Sequence, residues 1–326
     1  MAPPSTVAFI VFSIFSIFLY LIPSPWHWKV RNTATLMLIG WGTVGNLLNG
    51  VNAAIFANTS ENVAPGWCDF SGMILCIWPC GMAGSSLCLL RRLEAIASTR
   101  QVSYTKADRR RRTFIDLGIG IGIPLMIIPL RVVVQGHRMN IVGGYGCFTP
   151  AYYSWLYIFI FQIWWILLSL ASLVYACLTL RSFYIRRRQF NAILQTSSSG
   201  ISKDKYIRLM LMTINEMVAS FPITIYTTIV GPIRSNQMQH YTSWADVHFQ
   251  FNKTWSFDGA NFDKASIVLL ELTRWYCVLS AIIFFSFFGF TTDLRQEYAS
   301  AFNSTLSYFK RVPKRGSNLS SIAEIW

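Results

Sequence analysis

Seven stretches of this chain are apolar over enough residues to cross a lipid bilayer, and no other feature restricts its fold as strongly. A helix needs roughly 20 mostly apolar residues to span the ~30 Å hydrocarbon core, where every backbone N–H and C=O must be paired inside the protein. Runs of that kind lie at about 4–22, 33–57, 68–90, 113–134, 151–180, 206–231 and 265–290. Pro23 and Pro25 end the first run, Pro65-Gly66 precedes the third, and Gly143-Gly144 with Pro150 precedes the fifth. Such residues punctuate helices in short connections. The expected fold is an all-α membrane protein, a seven-transmembrane helix bundle in one domain at 1–290, with a tail at 291–326.

Charge then orients the bundle. Only 13% of the 326 residues are charged against 53% hydrophobic, where about 25% charged is usual for a soluble domain. The formal charge of +14 would suggest nucleic acid in a soluble chain. Here the basic residues lie between the apolar runs, where they set topology, so no nucleic-acid partner is expected. Alternate connections and the tail hold 22 of the 28 Lys and Arg, the other connections hold five, and Arg274 lies inside the last run. Basic residues stay on the cytoplasmic side. This places the N-terminus outside and the C-terminus in the cytoplasm of a multi-pass plasma-membrane protein. The first basic residue, Lys29, follows the first apolar run. That run therefore lacks the basic start of a cleaved signal and is expected to remain.

Asn58-Thr59-Ser60 and Asn252-Lys253-Thr254 are glycosylation sequons in connections that the charge count puts outside. Cys68 opens the third run on its outer side and Cys147 lies in the second outer connection. In that oxidising compartment the two either form a bridge that ties the loop over the bundle or remain two thiols. Cys76, Cys80, Cys88, Cys177 and Cys277 fall within helices as small buried residues. No Cys/His spacing suits zinc, so no metal or cofactor is expected.

Ionisable groups inside hydrocarbon cost roughly 2.5–3.5 kcal/mol on insertion scales and therefore mark pairs or sites. Glu271 and Arg274, three apart in the last run, share a helix face. They are either a structural ion pair or the polar anchor of an outward-facing ligand cavity. Trp244 and Trp255 in the third outer connection either contact a ligand or belong to an interfacial aromatic belt. Pro222 in the sixth run is the candidate hinge, against the reading of a static kink. On the inner side, Arg91-Arg92, Arg109 to Arg112 and Arg186-Arg187-Arg188 form a basic field suited to anionic membrane lipids or to an acidic protein partner. All four histidines lie in connections, and no phosphate-binding loop or nucleophile elbow is present, which argues against an enzyme. A seven-helix transporter is the alternative reading.

Specific residues then point to a family. Pro23-Ser24-Pro25-Trp26-His27-Trp28 with Asn32 and Thr35, then Trp67-Cys68-Asp69, the run Cys88 to Ile96, and Phe288-Gly289-Phe290 resemble the fungal a-factor-type mating pheromone receptors, class D of the G-protein-coupled receptors. The resemblance looks closest to basidiomycete members. It implies a receptor for a farnesylated peptide pheromone. It also implies that Arg91, Arg92, Glu94 and the Arg186, Arg187 and Arg188 cluster face a heterotrimeric G protein. The Asp-Arg-Tyr and Asn-Pro-x-x-Tyr motifs of the commonest animal receptors are missing. The pheromone's sequence and the oligomeric state are not legible at this level.

Overall fold

The computed structural model describes residues 3–98, 105–186, 203–234, 237–258 and 264–290. They are mostly helical. The long helices are α1 (Pro4–Leu21), α3 (Thr33–Ile55), α4 (Pro65–Ala97), α5 (Lys106–Val132), α6 (155–186), α7 (203–234) and α9 (Lys264–Phe288). Shorter elements are α2 (Ser24–Lys29), β1 (His137–Val142), β2 (Gly146–Phe148), α8 (Trp244–Val247) and β3 (Gln250–Phe257). Among the described residues, five helices are long and apolar enough to cross a membrane: α1 continued through α2, α4, α5, α6 and α9. In α3, Asn46, Asn49 and Asn52 dilute the apolar character, and α7 carries Lys203, Asp204, Lys205 and Arg208 in its first two turns.

Local chemistry explains the helix starts. Proline stands in the first turn of α1, α2 and α4, where its missing N–H has no intrahelical partner to lose. At the start of α5, the Thr105 hydroxyl accepts from the Asp108 backbone N–H at 3.2 Å. The Asp108 carboxylate accepts in return from the Thr105 N–H at 3.1 Å, closing a capping box.

At the centre, α4 packs against α3, α5, α6 and α7, while α1 covers α3 and α9. One buried cluster joins Tyr20, Leu38, Leu89, Tyr206 and Phe284, and a second joins Ile77, Ile127, Tyr157, Phe161 and Trp165. On their outer faces α1 exposes Phe12, Phe15 and Phe18, and α6 exposes Phe159, Leu167 and Val174. Apolar surface of that extent is at home in lipid rather than in water.

Of the three π turns among the described residues, those in α5 and α7 precede a proline, whereas Ile158–Gln162 in α6 does not. Pro124 offers no N–H to the carbonyl of Gly120 four residues back. A π-helical turn at Gly118–Gly122 widens α5 there, and the Trp41 indole N–H of α3 donates to the Gly120 carbonyl at 2.9 Å. Gly84 of α4 lies so near this turn that a Cβ would sit 2.7 Å from the Ile119 carbonyl oxygen. In α7 a second π turn, Tyr226–Val230, likewise precedes Pro232.

The chain departs from the all-helical expectation at one end of the bundle, where a sheet of order β2-β1-β3 forms. β1 runs antiparallel to β2, with Ile141 opposite Cys147, and parallel to β3, with Met139 opposite Thr254. Backbone donors in connections that cover a helix bundle still need partners. Here the two connections supply them to each other.

Candidate functional site

The β1–β2 hairpin tip is a plug seated on the ends of α1, α3 and α9. The Gly144 N–H donates to the Phe56 carbonyl at 2.7 Å and the Gly143 N–H to the Phe257 carbonyl at 3.1 Å. Gly144 has φ +79° and Gly146 φ +114°, the left-handed region that favours glycine. A Cβ at Gly146 would also lie 2.5 Å from the Asn52 side chain. Asn52 Oδ1 in turn accepts from the Trp67 indole at 2.7 Å and the Ser71 hydroxyl at 3.2 Å. Next along the strand, Cys147 is bridged to Cys68 with a Cα–Cα separation of 5.3 Å. Phe56, Met139 and Ile141 pack around that bridge.

Between the two glycines, Tyr145 reaches the ionic pair of α9. Glu271 and Arg274 are bidentate: Arg274 Nε donates to Glu271 Oε2 at 2.8 Å and Nη2 to Oε1 at 2.6 Å. The Tyr145 hydroxyl donates to Oε1 at 2.9 Å and the Trp275 indole to Oε2 at 3.0 Å, so the carboxylate accepts four bonds. Arg274 Nη1 donates to the Gly144 carbonyl at 3.3 Å. Its guanidinium lies between two rings, 4.5 Å from the Tyr145 centroid and 4.8 Å from that of Phe9. The Arg274 side chain is 7% exposed and that of Glu271 30%. Burial first, and then the Glu271 carboxylate, push the Tyr145 phenol up from its ordinary range and keep it a donor. The carboxylate thus ties the loop to α9, and the Phe9 ring joins α1 to the cluster through Arg274 and Trp275.

The other candidates lie elsewhere. Trp255 stacks on His137 at 4.7 Å and Trp244 on His248 at 3.9 Å, each about half exposed on the sheet end. Asn58 and Asn252 are exposed, and so is Pro222 within α7. Beside the disulfide, Asp69 and Arg138 form an exposed ion pair. At the opposite end of the bundle, Arg91 pairs with Asp116 of α5 at 2.5 Å and Arg92 Nη1 donates to Asn32 Oδ1 at 2.8 Å. Glu94 is only 4% exposed. The sequence reading that turned it toward a protein partner therefore does not describe this conformation, because α7 packs over that face of α4. From α7, Tyr206 donates to the Leu93 carbonyl at 3.3 Å and Arg208 Nη1 to the Phe287 carbonyl of α9 at 3.0 Å. The Arg186 side chain, Arg187 and Arg188 lie outside the described residues.

Sequence reasoning missed Tyr145, Gly144, Trp275 and Phe9. A signal was available for the first two, since Gly143-Gly144-Tyr145-Gly146-Cys147 reads as a sharp turn leading into a cysteine. Among the described residues, no group of three or more His, Cys, Asp or Glu side chains could hold a metal ion.

Comparison with known proteins gives one answer along nearly the whole chain. Residues 8–309 match the family described as STE3, Pheromone A receptor. The chain is 37% identical over 324 residues to Pheromone receptor 1 of Mycosarcoma maydis, covering 96% of this chain and 89% of that one. It is 36% identical over 281 residues to Pheromone receptor 2 of the same organism, covering 86% and 81%. It is 24% identical over 310 residues to the Pheromone a factor receptor of Saccharomyces cerevisiae, covering 91% and 62%.

Proposed function

This chain belongs to the STE3 pheromone A receptor family, and from that premise we propose that it is a G-protein-coupled receptor for a farnesylated peptide mating pheromone. It is a membrane receptor and not an enzyme. In the proposed arrangement α1, α3, α4, α5, α6, α7 and α9 all cross the plasma membrane. The N-terminus and the sheet lie outside, and the C-terminus and the basic residues lie in the cytoplasm. The observation that carries the reading is the family match over residues 8–309. It is supported by the basic residues of alternate connections, which fit that orientation.

Mechanistically, the receptor has a resting and an active conformation, and a ligand shifts their balance only by its differential affinity. The pheromone's farnesyl chain gains free energy by burial, at about 25 cal/mol per Å² of apolar surface. Its peptide contacts the outer connections around Trp244, Trp255 and the Glu271–Arg274 pair. At the cytoplasmic end, the bonds from Tyr206 to Leu93 and from Arg208 to Phe287 hold α7 against α4 and α9. Releasing them, with Pro222 as the flexible point, opens the surface of Arg91, Arg92 and Arg186 to Arg188 to the G protein. Glu94 becomes accessible only in that state. Purified receptor mixed with a heterotrimeric G protein is expected to accelerate nucleotide exchange when farnesylated pheromone is added. Pheromone-independent solute flux in receptor vesicles, with no effect on exchange, would instead identify a transporter.

A further inference from the structure

The basic turns at the start of α5 are used neither by the plug nor by the proposed contact with a G protein. Lys106, Arg109, Arg110, Arg111 and Arg112 fall within two turns of helix, with Asp108 as the one acidic residue among them. Asp108 is occupied, since it closes the capping box with Thr105. Lys106, Arg109, Arg110 and Arg111 are exposed, and Arg112 is half-buried. Among the described residues, no carboxylate forms an ion pair with Lys106, Arg109, Arg110 or Arg111. Like charges this close on a helix repel one another, so a bound anion would relieve the segment.

Helical spacing divides the cluster into two sides. Asp116 bonds Arg91 of α4 and marks the side toward the bundle. Arg112 and Arg109 precede it by four and seven residues and share that side. Arg110 and Arg111 precede Phe114 by four and three residues, and Lys106 precedes Arg110 by four, so these three lie along another face. That face is the one turned outward. Phe114 is 61% exposed, and Leu117, Ile121 and Leu125 continue along the helix as exposed apolar side chains. The Arg110 guanidinium lies 5.5 Å from the Phe114 ring centroid, which sets a charge at the edge of the apolar stripe. From Lys106 to Arg112 the axis rises about 9 Å, close to the depth of one headgroup layer.

We propose that Lys106, Arg110 and Arg111 form a binding site for a polyphosphorylated lipid headgroup, that of a phosphoinositide, in the cytoplasmic leaflet. The assignment rests on the orientation given above, which puts the start of α5 in the cytoplasm. Polybasic clusters next to a membrane span attract anionic lipid, and the guanidinium fork matches phosphate bidentately. Lys106 and Arg110, as helical neighbours, have Cβ atoms about 5–6 Å apart. Their charges converge with that of Arg111 on several phosphates of one ring. An acidic protein would approach from the cytosol, whereas this face continues the surface that meets acyl chains.

The test compares two doubly substituted receptors that lose the same charge. Gln preserves helix propensity, so both keep the helix. Purified receptor in detergent is titrated with fluorescent dioctanoyl phosphatidylinositol 4,5-bisphosphate. Arg110→Gln/Arg111→Gln should raise the dissociation constant about tenfold or more, and Lys106→Gln should raise it less. Arg109→Gln/Arg112→Gln should change it by less than about threefold. Dioctanoyl phosphatidylserine and free inositol trisphosphate should each compete at least about tenfold more weakly than the unlabelled bisphosphate lipid. Equal losses in the two doubles are the mark of diffuse attraction by net charge and overturn the site, and so does no loss in either. Inositol trisphosphate competing as well as the lipid overturns a lipid occupant. Arg110→Gln/Arg111→Gln that keeps its lipid affinity and loses binding to purified G protein assigns the face to a protein instead. Orientation is checked separately in cells by a glycosylation sequon placed ahead of Thr105, which stays unmodified if the segment is cytoplasmic. Its glycosylation would overturn the cytoplasmic leaflet as the source, while the affinities measured in detergent stand.

Discussion

Replacing Glu271 by Gln, alone and with Tyr145→Phe, measures what the ionic cluster contributes to the plug. Glu271→Gln keeps the shape and removes the charge that neutralises Arg274, whose side chain is 7% exposed. Removing one partner of a buried pair costs roughly 3–5 kcal/mol. Two features of the site reduce that figure. Glu271 is 30% exposed, and the guanidinium keeps its contacts with the Phe9 and Tyr145 rings, each worth about 0.5–2 kcal/mol. A net loss of about 2–3 kcal/mol follows. Tyr145→Phe keeps the ring over Arg274 and deletes one bond to a charged acceptor, about 1.5 kcal/mol. In the Glu271→Gln background the same deletion removes a bond to a neutral amide and costs about half as much, a coupling of about 0.7 kcal/mol. Cys177, expected from the sequence to be buried, is exposed, so unfolding of detergent-purified protein is followed with a thiol-reactive dye in a Cys177→Ser background, where Cys80, Cys88 and Cys277 are buried. At about 2 °C per kcal/mol, Glu271→Gln lowers the midpoint by about 4–6 °C and Tyr145→Phe by about 3 °C. If Tyr145→Phe costs the same with and without the carboxylate, Tyr145 does not act through Glu271 and the reasoning fails.

The same tyrosine sets a pH dependence. Its phenol is raised in the folded state, so its contribution is complete below the unfolded value of about 10 and is lost as pH rises through the folded value. The midpoint advantage of wild type over Tyr145→Phe is therefore constant from neutral pH to about pH 10 and shrinks above it, in buffers titrated to pH 11. The Cys68–Cys147 bridge closes a separation of 79 residues, worth about 4 kcal/mol in the chain-entropy account. Cys68→Ser, Cys147→Ser and the double variant should accordingly lose surface receptor to the same extent, as read by flow cytometry. Arg208→Leu deletes a charged donor from the end of α9, about 1.5 kcal/mol or more. Basal nucleotide exchange should rise roughly tenfold for each 1.4 kcal/mol by which the deletion shifts the two-state balance, until it saturates.

The long helices were legible because hydrocarbon imposes a length and an apolar content that few other folds demand. Glu271 and Arg274 were legible for a related reason, since two opposite charges in one apolar run at helical spacing have few alternatives to pairing. The sheet was not legible. His137 to Val142 pairs in parallel with Gln250 to Phe257, more than 100 residues away, and no local pattern announces a partner that distant. Tyr145 was hidden because its role comes from a turn folded back onto a helix far along the chain. Glu94 received its partner-facing role from the family resemblance alone, and no local pattern in the sequence shows that α7 packs over it.

All of these expectations require the sheet and the basic connections to lie on opposite sides of the membrane. Epitope tags at the two ends of the chain test that requirement in intact cells. The account predicts that antibody reaches the N-terminal tag directly and the C-terminal tag only after permeabilisation. Tags that are both reached, or both protected, before permeabilisation would contradict it.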